Sequence, residues 1–113
     1  MDHFASFGEG KCLVWADILR AGEDLIIFIG GGEKPHIGSI SISEGVPFSL
    51  SLSGHKDYIV SHNAARKIRE KIGKRCLIIA GIHVDMASKE EIDLLVANSN
   101  RCIELVVSKL ARN

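Results

Sequence analysis

The sequence predicts an α+β fold: an antiparallel sheet of about five strands, built as a meander of four and then helix, strand, helix, with both helices on one face. Three observations carry that prediction. Strand periodicity appears four times in the first half, with glycine- or proline-containing turns between the runs. An apolar residue then recurs at every fourth position over residues 57–72. After one more strand pattern, a three-and-four repeat continues almost to residue 113. Strands grouped first and helices late segregate into two layers.

In order along the chain, residues 1–10 are short and aperiodic and read as a loose tail that Phe4 and Phe7 could anchor. KCLVWADILRA (11–21) is rich in strand formers and sets Cys12, Val14 and Ala16 on one face; the same run could also begin a helix. AGED (21–24) is a turn, and LIIFIG (25–30) a short, β-branched, buried strand. HIGSISIS (36–43) alternates, which predicts a buried Ile40/Ile42 face and a wetter face of Ser39, Ser41 and Ser43. FSLSLS (48–53) alternates again and puts Phe48, Leu50 and Leu52 toward the core. From 57 to 72, Val60, Ala64, Ile68 and Ile72 make one stripe of an amphipathic helix, with Asp57 able to cap its start and Gly73 its end. RCLIIAGI (75–82) is an apolar strand. Ser88 and Glu91 form a capping box, and behind it Ile92, Leu95, Val96, Ser99, Ile103, Val106 and Leu110 mark a long helix.

The 113 residues suit a single domain, with no internal repeat. Formal net charge is zero, so no basic field exists to hold nucleic acid or an anionic membrane. No run reaches the roughly 18 apolar residues of a membrane span, and the N-terminal decapeptide lacks the pattern of a secretory leader. Cys12, Cys76 and Cys102 are odd in number and sit in apolar runs, as reduced core thiols of a cytoplasmic protein do.

Chemistry concentrates in three short stretches: GGGEKPHIG (30–38), SGHKD (53–57) and AGIHVD (80–85). Alternating chain direction brings them together. If strand 25–30 runs up, strand 36–43 runs down, 48–53 up, helix 57–72 down and strand 75–82 up. The helix covers about 24 Å at its usual rise and the strand about 26 Å. All three stretches then lie at the top. That rim collects His36, His55 and His83 with Lys34, Lys56, Asp57 and Asp85. It also holds Gly30, Gly31, Gly32, Gly38, Gly54 and Gly81, where backbone can approach a ligand closely. A glycine-rich tip with lysines over a helix N-terminus suits an anion, most often a phosphate. Neither a Walker loop nor a dinucleotide fingerprint is present. His36, His55, His83 and Asp85 could supply a metal with nitrogen and oxygen donors, but no HxxxH or HExxH spacing supports a metal. No GxSxG elbow marks a nucleophile, so no catalytic residue is assigned.

GGGEKPHIGSISIS, SGHKD and AGIHVDMASKEEID, followed by a long helix, resemble the LpdD-like prenylated-flavin chaperones over residues 28–96. The resemblance implies a non-enzymatic small partner of UbiD-type decarboxylases. Such a partner binds reduced prenylated flavin mononucleotide and helps load it into the apo-decarboxylase. It also implies a homodimer and a fold similar to the proteasome assembly chaperones. The residues carried over are Gly30, Gly31, Gly32, Lys34, Pro35, His36, Gly38, Gly54, His55, Lys56, Asp57, Gly81, His83 and Asp85. On this reading the glycines, the lysines and the helix start hold the phosphate, and the three histidines meet the ring system or the ribityl chain. With few aromatics in the chain, apolar cover for the ring would come from a second subunit. Two other readings use the same residues differently: a protein-assembly chaperone that binds a polypeptide and no small molecule, and a small metal-dependent enzyme.

Overall fold

A computed structural model describes residues 2–43, 48–52 and 57–112, with the side chains of Phe48 and Asp57 also outside the description. The elements are β1 (Ala5–Phe7), β2 (Val14–Ala21), β3 (Asp24–Gly32), β4 (Ser39–Ser43), β5 (Phe48–Ser51), α1 (Asp57–Ile72), β6 (Cys76–His83) and α2 (Lys89–Ala111), with a short 3-10 turn at Gly10–Cys12. Both helices cover one face of the sheet, and one hydrophobic cluster joins helices and strands. Among the described residues no helix is long and apolar enough to cross a membrane.

The sheet differs from the expected antiparallel meander. It has six strands in the order β1-β2-β3-β6-β4-β5. β6 enters between β3 and β4 and runs parallel to β3, so the sheet is mixed. The reason is burial. CLIIAGIH and DLIIFIGGG are nearly continuous apolar runs, and a strand apolar on both sides belongs in the middle. The alternating β4 and β5 go to the edge. The predicted tail also contributes: β1 pairs with β2 in the register Ala5↔Ala16 to Phe7↔Val14. The long helix holds it there. Lys109 Nζ donates to the Phe4 carbonyl at 2.6 Å and stands 5.5 Å from the Phe4 ring centre, while Arg101 stands 5.3 Å from that of Phe7.

Both helices keep their expected extents. Asp57–Ile72 buries Val60, Ala64, Ala65 and Ile68. At the start of α2, Ser88 accepts from the Glu91 N–H at 3.1 Å and donates its own N–H to the Glu91 carboxylate at 3.0 Å. Gly73 adopts φ +78 just past α1, and its N–H donates to the Arg69 carbonyl at 3.0 Å and lies 3.2 Å from that of Ile68.

The two faces of β4 and β5 are the reverse of the expectation. Ser39, Ser41 and Ser43 are fully buried under α1, whereas Leu50 and Leu52 are half exposed. Hydroxyls bonded to one another explain the inversion. Ser61 on α1 meets Ser39 at 2.9 Å and Ser41 at 2.7 Å, Ser41 meets Ser49 at 2.6 Å, and Ser49 meets His62 Nδ1 at 2.9 Å. Small residues let the helix come close, and paired hydroxyls remove the cost of burial.

Among the described residues no helix covers the opposite face of the sheet. Its register rows read Trp15–Gly30–Gly81, then Asp17–Phe28–Ile79–Ile40–Leu50, then Leu19–Ile26–Leu77–Ile42. One charged side chain stands on those rows, Asp17, and the His3 ring meets its carboxylate at 3.1 Å. His3 also stacks on Trp15 (centroids 4.4 Å apart), and Trp15 on Phe28 (5.4 Å).

Candidate functional site

The alternation of chain direction holds although the pairing differs, because direction depends only on the number of reversals. β3 and β6 end side by side with Gly32 opposite His83, and β4 starts next to them. Segment 33–38 turns back over this end. The Glu33 and Lys34 N–H groups both donate to the His83 carbonyl, at 2.7 and 3.1 Å, and the Gly38 N–H donates to Ala80 at 2.9 Å. β5 finishes at the same end, where the Leu52 N–H donates to the Gly38 carbonyl at 2.9 Å.

Four of the predicted side chains converge. His83 Nε2 lies 2.9 Å from Asp85 Oδ1, Lys34 Nζ lies 3.1 Å from Asp85 Oδ2, and the His36 and His83 rings meet edge to face with centroids 6.2 Å apart. His36 Nδ1 is 3.1 Å from the Lys34 carbonyl. Lys34 above all, and then His83, hold the Asp85 carboxyl below the usual aspartate range by bonding to its charged form. Glu33 was not singled out from sequence; its carboxylate accepts from the Asp85 N–H at 2.9 Å and fixes the loop. Next along that loop, Met86 is fully exposed with φ +50.

The glycines act differently from a ligand cradle. Gly30, Gly31 and Gly32 lie within β3 instead of at a hairpin tip. A Cβ at Gly31 would come 2.4 Å from the Leu13 carbonyl oxygen, one at Gly32 2.3 Å from that of His83, and one at Gly81 1.5 Å from that of His36. These positions admit the chain's own backbone. Gly54, His55, Lys56 and the Asp57 side chain lie outside the described residues. So does any contribution of His55 to a metal; among the described residues no three of His, Cys, Asp and Glu converge on a metal position. Pro35 and Gly38 belong to the crossing segment and shape it.

The polar cluster borders the uncovered sheet face. His83 follows Leu77, Ile79 and Gly81 on that face, and the Trp15 row is adjacent to it. The arrangement joins ion-paired and imidazole groups to a flat apolar surface. That suits a ligand with a polar end and a planar apolar body. Trp15, Phe28, His3 and Asp17 were not anticipated as part of it. The available signal was that Trp15 and Leu19 fall on the opposite parity from Val14 and Ala16, which makes β2 apolar on both sides.

Fold and site together define a small two-layer α+β domain with a polar cluster at one end of its sheet. The chain is similar to a crystal structure of a chaperone complex for yeast 20S proteasome assembly, with a TM-score of 0.55 over 96% of this chain and 97% of that one, at 14% identity; that likeness shows the fold. Residues 8–111 match the family described as prenylated flavin chaperone LpdD-like domain, and the chain belongs to that family. It is also 35% identical over 78 residues to Protein LpdD of Lactiplantibacillus plantarum, covering 63% of this chain and 57% of that relative. The matched part is thus little more than half the relative's length. The family is one of chaperones, in agreement with a protein that is not an enzyme.

Proposed function

We propose that this chain is a cofactor chaperone that binds reduced prenylated flavin mononucleotide and helps load it into an apo UbiD-type aromatic acid decarboxylase, acting as a homodimer in the cytoplasm. The supporting observation is the adjacency of the His36–His83–Asp85–Lys34 cluster to an apolar sheet face, in a chain of the LpdD-like family. The cluster takes the polar end of the cofactor, and the ring system leans on the sheet. Lys34 is the cation for the phosphate and is steered by Asp85; His36 and His83 offer ring nitrogens to the ribityl chain or to ring carbonyls. Gly54, His55, Lys56 and Asp57 complete the phosphate side on this reading. A chaperone must release its cargo, so affinity is moderate and no tuned acid–base pair is needed. Anaerobic titration with the reduced cofactor tests the reading. Saturable binding that drops about tenfold or more in His36→Ala/His83→Ala supports it; no binding by the native chain removes it.

The open apolar face also fits a chaperone that holds a polypeptide and no small molecule; the fold neighbour is a chaperone complex for yeast 20S proteasome assembly. Alanine at His36 and His83 leaves that activity intact, which separates the two readings.

A further inference from the structure

We propose that the end of the sheet carrying His36, His83 and Asp85 is a docking face for the acceptor protein, and that the ligand passes directly from one mouth to the other without release into water. The ligand half rests on the prenylated-flavin reading; the docking half does not.

Exposed apolar side chains gather at this end and adjoin the polar cluster. Met86 follows Asp85 and is wholly in water. Ile37 follows His36 and is half exposed. Each has a half-exposed companion near the start of a helix, Ile92 in α2 and Tyr58 in α1. Ser61 ties Tyr58 to this end: its hydroxyl donates to the Tyr58 carbonyl at 3.3 Å and meets that of Ser39, the first residue of β4, at 2.9 Å. Segment 84–88 leads from β6 to α2, which packs on β1 and β2, whereas Ile37 leads into β4 on the other side of β6. The polar cluster therefore has an apolar border on two sides. A lone exposed isoleucine is ordinary, but apolar side chains on both sides of a ligand cluster mark a contact surface.

The fold holds Met86 out. The Asp85 N–H donates to the Glu33 carboxylate at 2.9 Å, and beyond Met86 the Ser88 N–H donates to the Glu91 carboxylate at 3.0 Å. Between these clamps Met86 takes φ +50, which is uncommon outside glycine. A pinned loop presents the side chain in one place, so little freedom is lost when a partner covers it. The unbranched thioether adapts to an irregular socket.

Charge selects the occupant. In segment 84–93, Asp85, Glu90, Glu91 and Asp93 stand against Lys89. Lys34 and Lys11 are already engaged by Asp85 and Glu91. This acidic border repels nucleic acid and anionic lipid, and it repels a second copy set end to end. It attracts a protein with a basic opening, and an opening that admits a phosphate-bearing ligand is basic. The acceptor thus offers an apolar socket within a cationic rim. Apolar contacts around a polar centre exclude water from it, which shields a reduced ligand in transit.

The experiment is anaerobic. It uses the full chain, an apo UbiD-type decarboxylase, the double variant Ile37→Ser/Met86→Gly, and a control, Leu105→Ser, toward the far end of α2. Glycine accepts a positive φ more readily than methionine, and Ile37 is half exposed, so the variant keeps its circular dichroism. The native chain, loaded with reduced prenylated flavin mononucleotide, should activate the decarboxylase at a rate that rises with decarboxylase concentration and exceeds spontaneous release of the ligand. The double variant should hold the ligand as tightly as the native chain, yet associate with the decarboxylase and transfer to it about tenfold less well. The control should match the native chain, and association should weaken as salt is added. Activation no faster than spontaneous release overturns the proposal. So does a double variant that transfers as fast as the native chain, or an association indifferent to salt. A variant that loses ligand affinity in step with transfer places Ile37 and Met86 in the ligand site and overturns the docking; one altered only in self-association assigns the face to a second copy and overturns it too. If the double variant loses its circular dichroism, Met86→Gly alone takes its place, and an unchanged association constant overturns the proposal. A native chain that binds the flavin but not the decarboxylase overturns the docking and leaves the cofactor reading. One that binds the decarboxylase but no flavin defeats the cofactor reading while the docking face stands.

Discussion

The indole of Trp15 lies over Gly30, so close that a Cβ at residue 30 would come 2.5 Å from a ring carbon. The contact fixes the upper corner of the open face and connects the stack His3–Trp15–Phe28 to the central strands. A side chain at residue 30 must push the ring off. Gly30→Ala should lower unfolding free energy by about 1–3 kcal/mol, the usual cost of overpacking. Denaturant unfolding followed by Trp15 emission measures it, and a stability equal to the native one would refute the contact.

At Gly81 the obstacle is a backbone atom, the His36 carbonyl oxygen. A ring can rotate away, but a carbonyl held by neighbouring ladder bonds cannot. Gly81→Ala should therefore displace segment 33–38, separate His36 from His83, and destabilise more than Gly30→Ala does. Amide exchange at Gly38, whose N–H bonds Ala80, should quicken in that variant and hardly change in Gly30→Ala.

Asp85 has its carboxyl lowered by Lys34 first and by His83 second. Because the folded value lies below the unfolded one, its contribution to stability is complete above the ordinary aspartate value. It is lost as pH falls through the lowered folded value. Carboxyl-carbon NMR should find the Asp85 midpoint below 3.8, and Lys34→Met should move it back up. A midpoint in Lys34→Met no higher than in the native chain would contradict the pairing.

The hydroxyl chain under α1 makes Ser61 costly to remove. It bonds Ser39 and Ser41, and all three are fully buried. Ser61→Ala takes from Ser39 its hydroxyl partner and leaves Ser41 with Ser49, and should cost about 1–3 kcal/mol. Replacing Ser39, Ser41 and Ser61 together with alanine should cost less than the sum of the single changes, since no orphan then remains. Thermal and denaturant unfolding of the single and triple variants check this.

Burial raises the Cys102 thiol to about 11 and pushes the Cys76 thiol up as well. All three cysteines are buried. A colorimetric thiol reagent at pH 8 should titrate close to none of them in the native chain and all three in denaturant.

The elements whose burial follows from one face were legible in the sequence. The stripe of Val60, Ala64 and Ile68 placed α1, and Ser88 with Glu91 placed the start of α2. The meeting of His36 with His83 and Asp85 was legible too, since it depends on chain direction alone. Strand order was not, because pairing of β6 with β3 is decided by burial on both sides, which alternation does not report. The serine face was misread because a hydroxyl counts as wet until its partner is known. Ser61 is 20 residues beyond Ser41, and nothing local announces that they bond.

The Lys109–Phe4 clasp has a consequence for how the chain is made. The ammonium that fastens the opening strand is translated 105 residues after it. During synthesis Ala5–Phe7 can pair with β2 early, but the clasp from α2 closes over it only after nearly the whole chain has emerged from the ribosome.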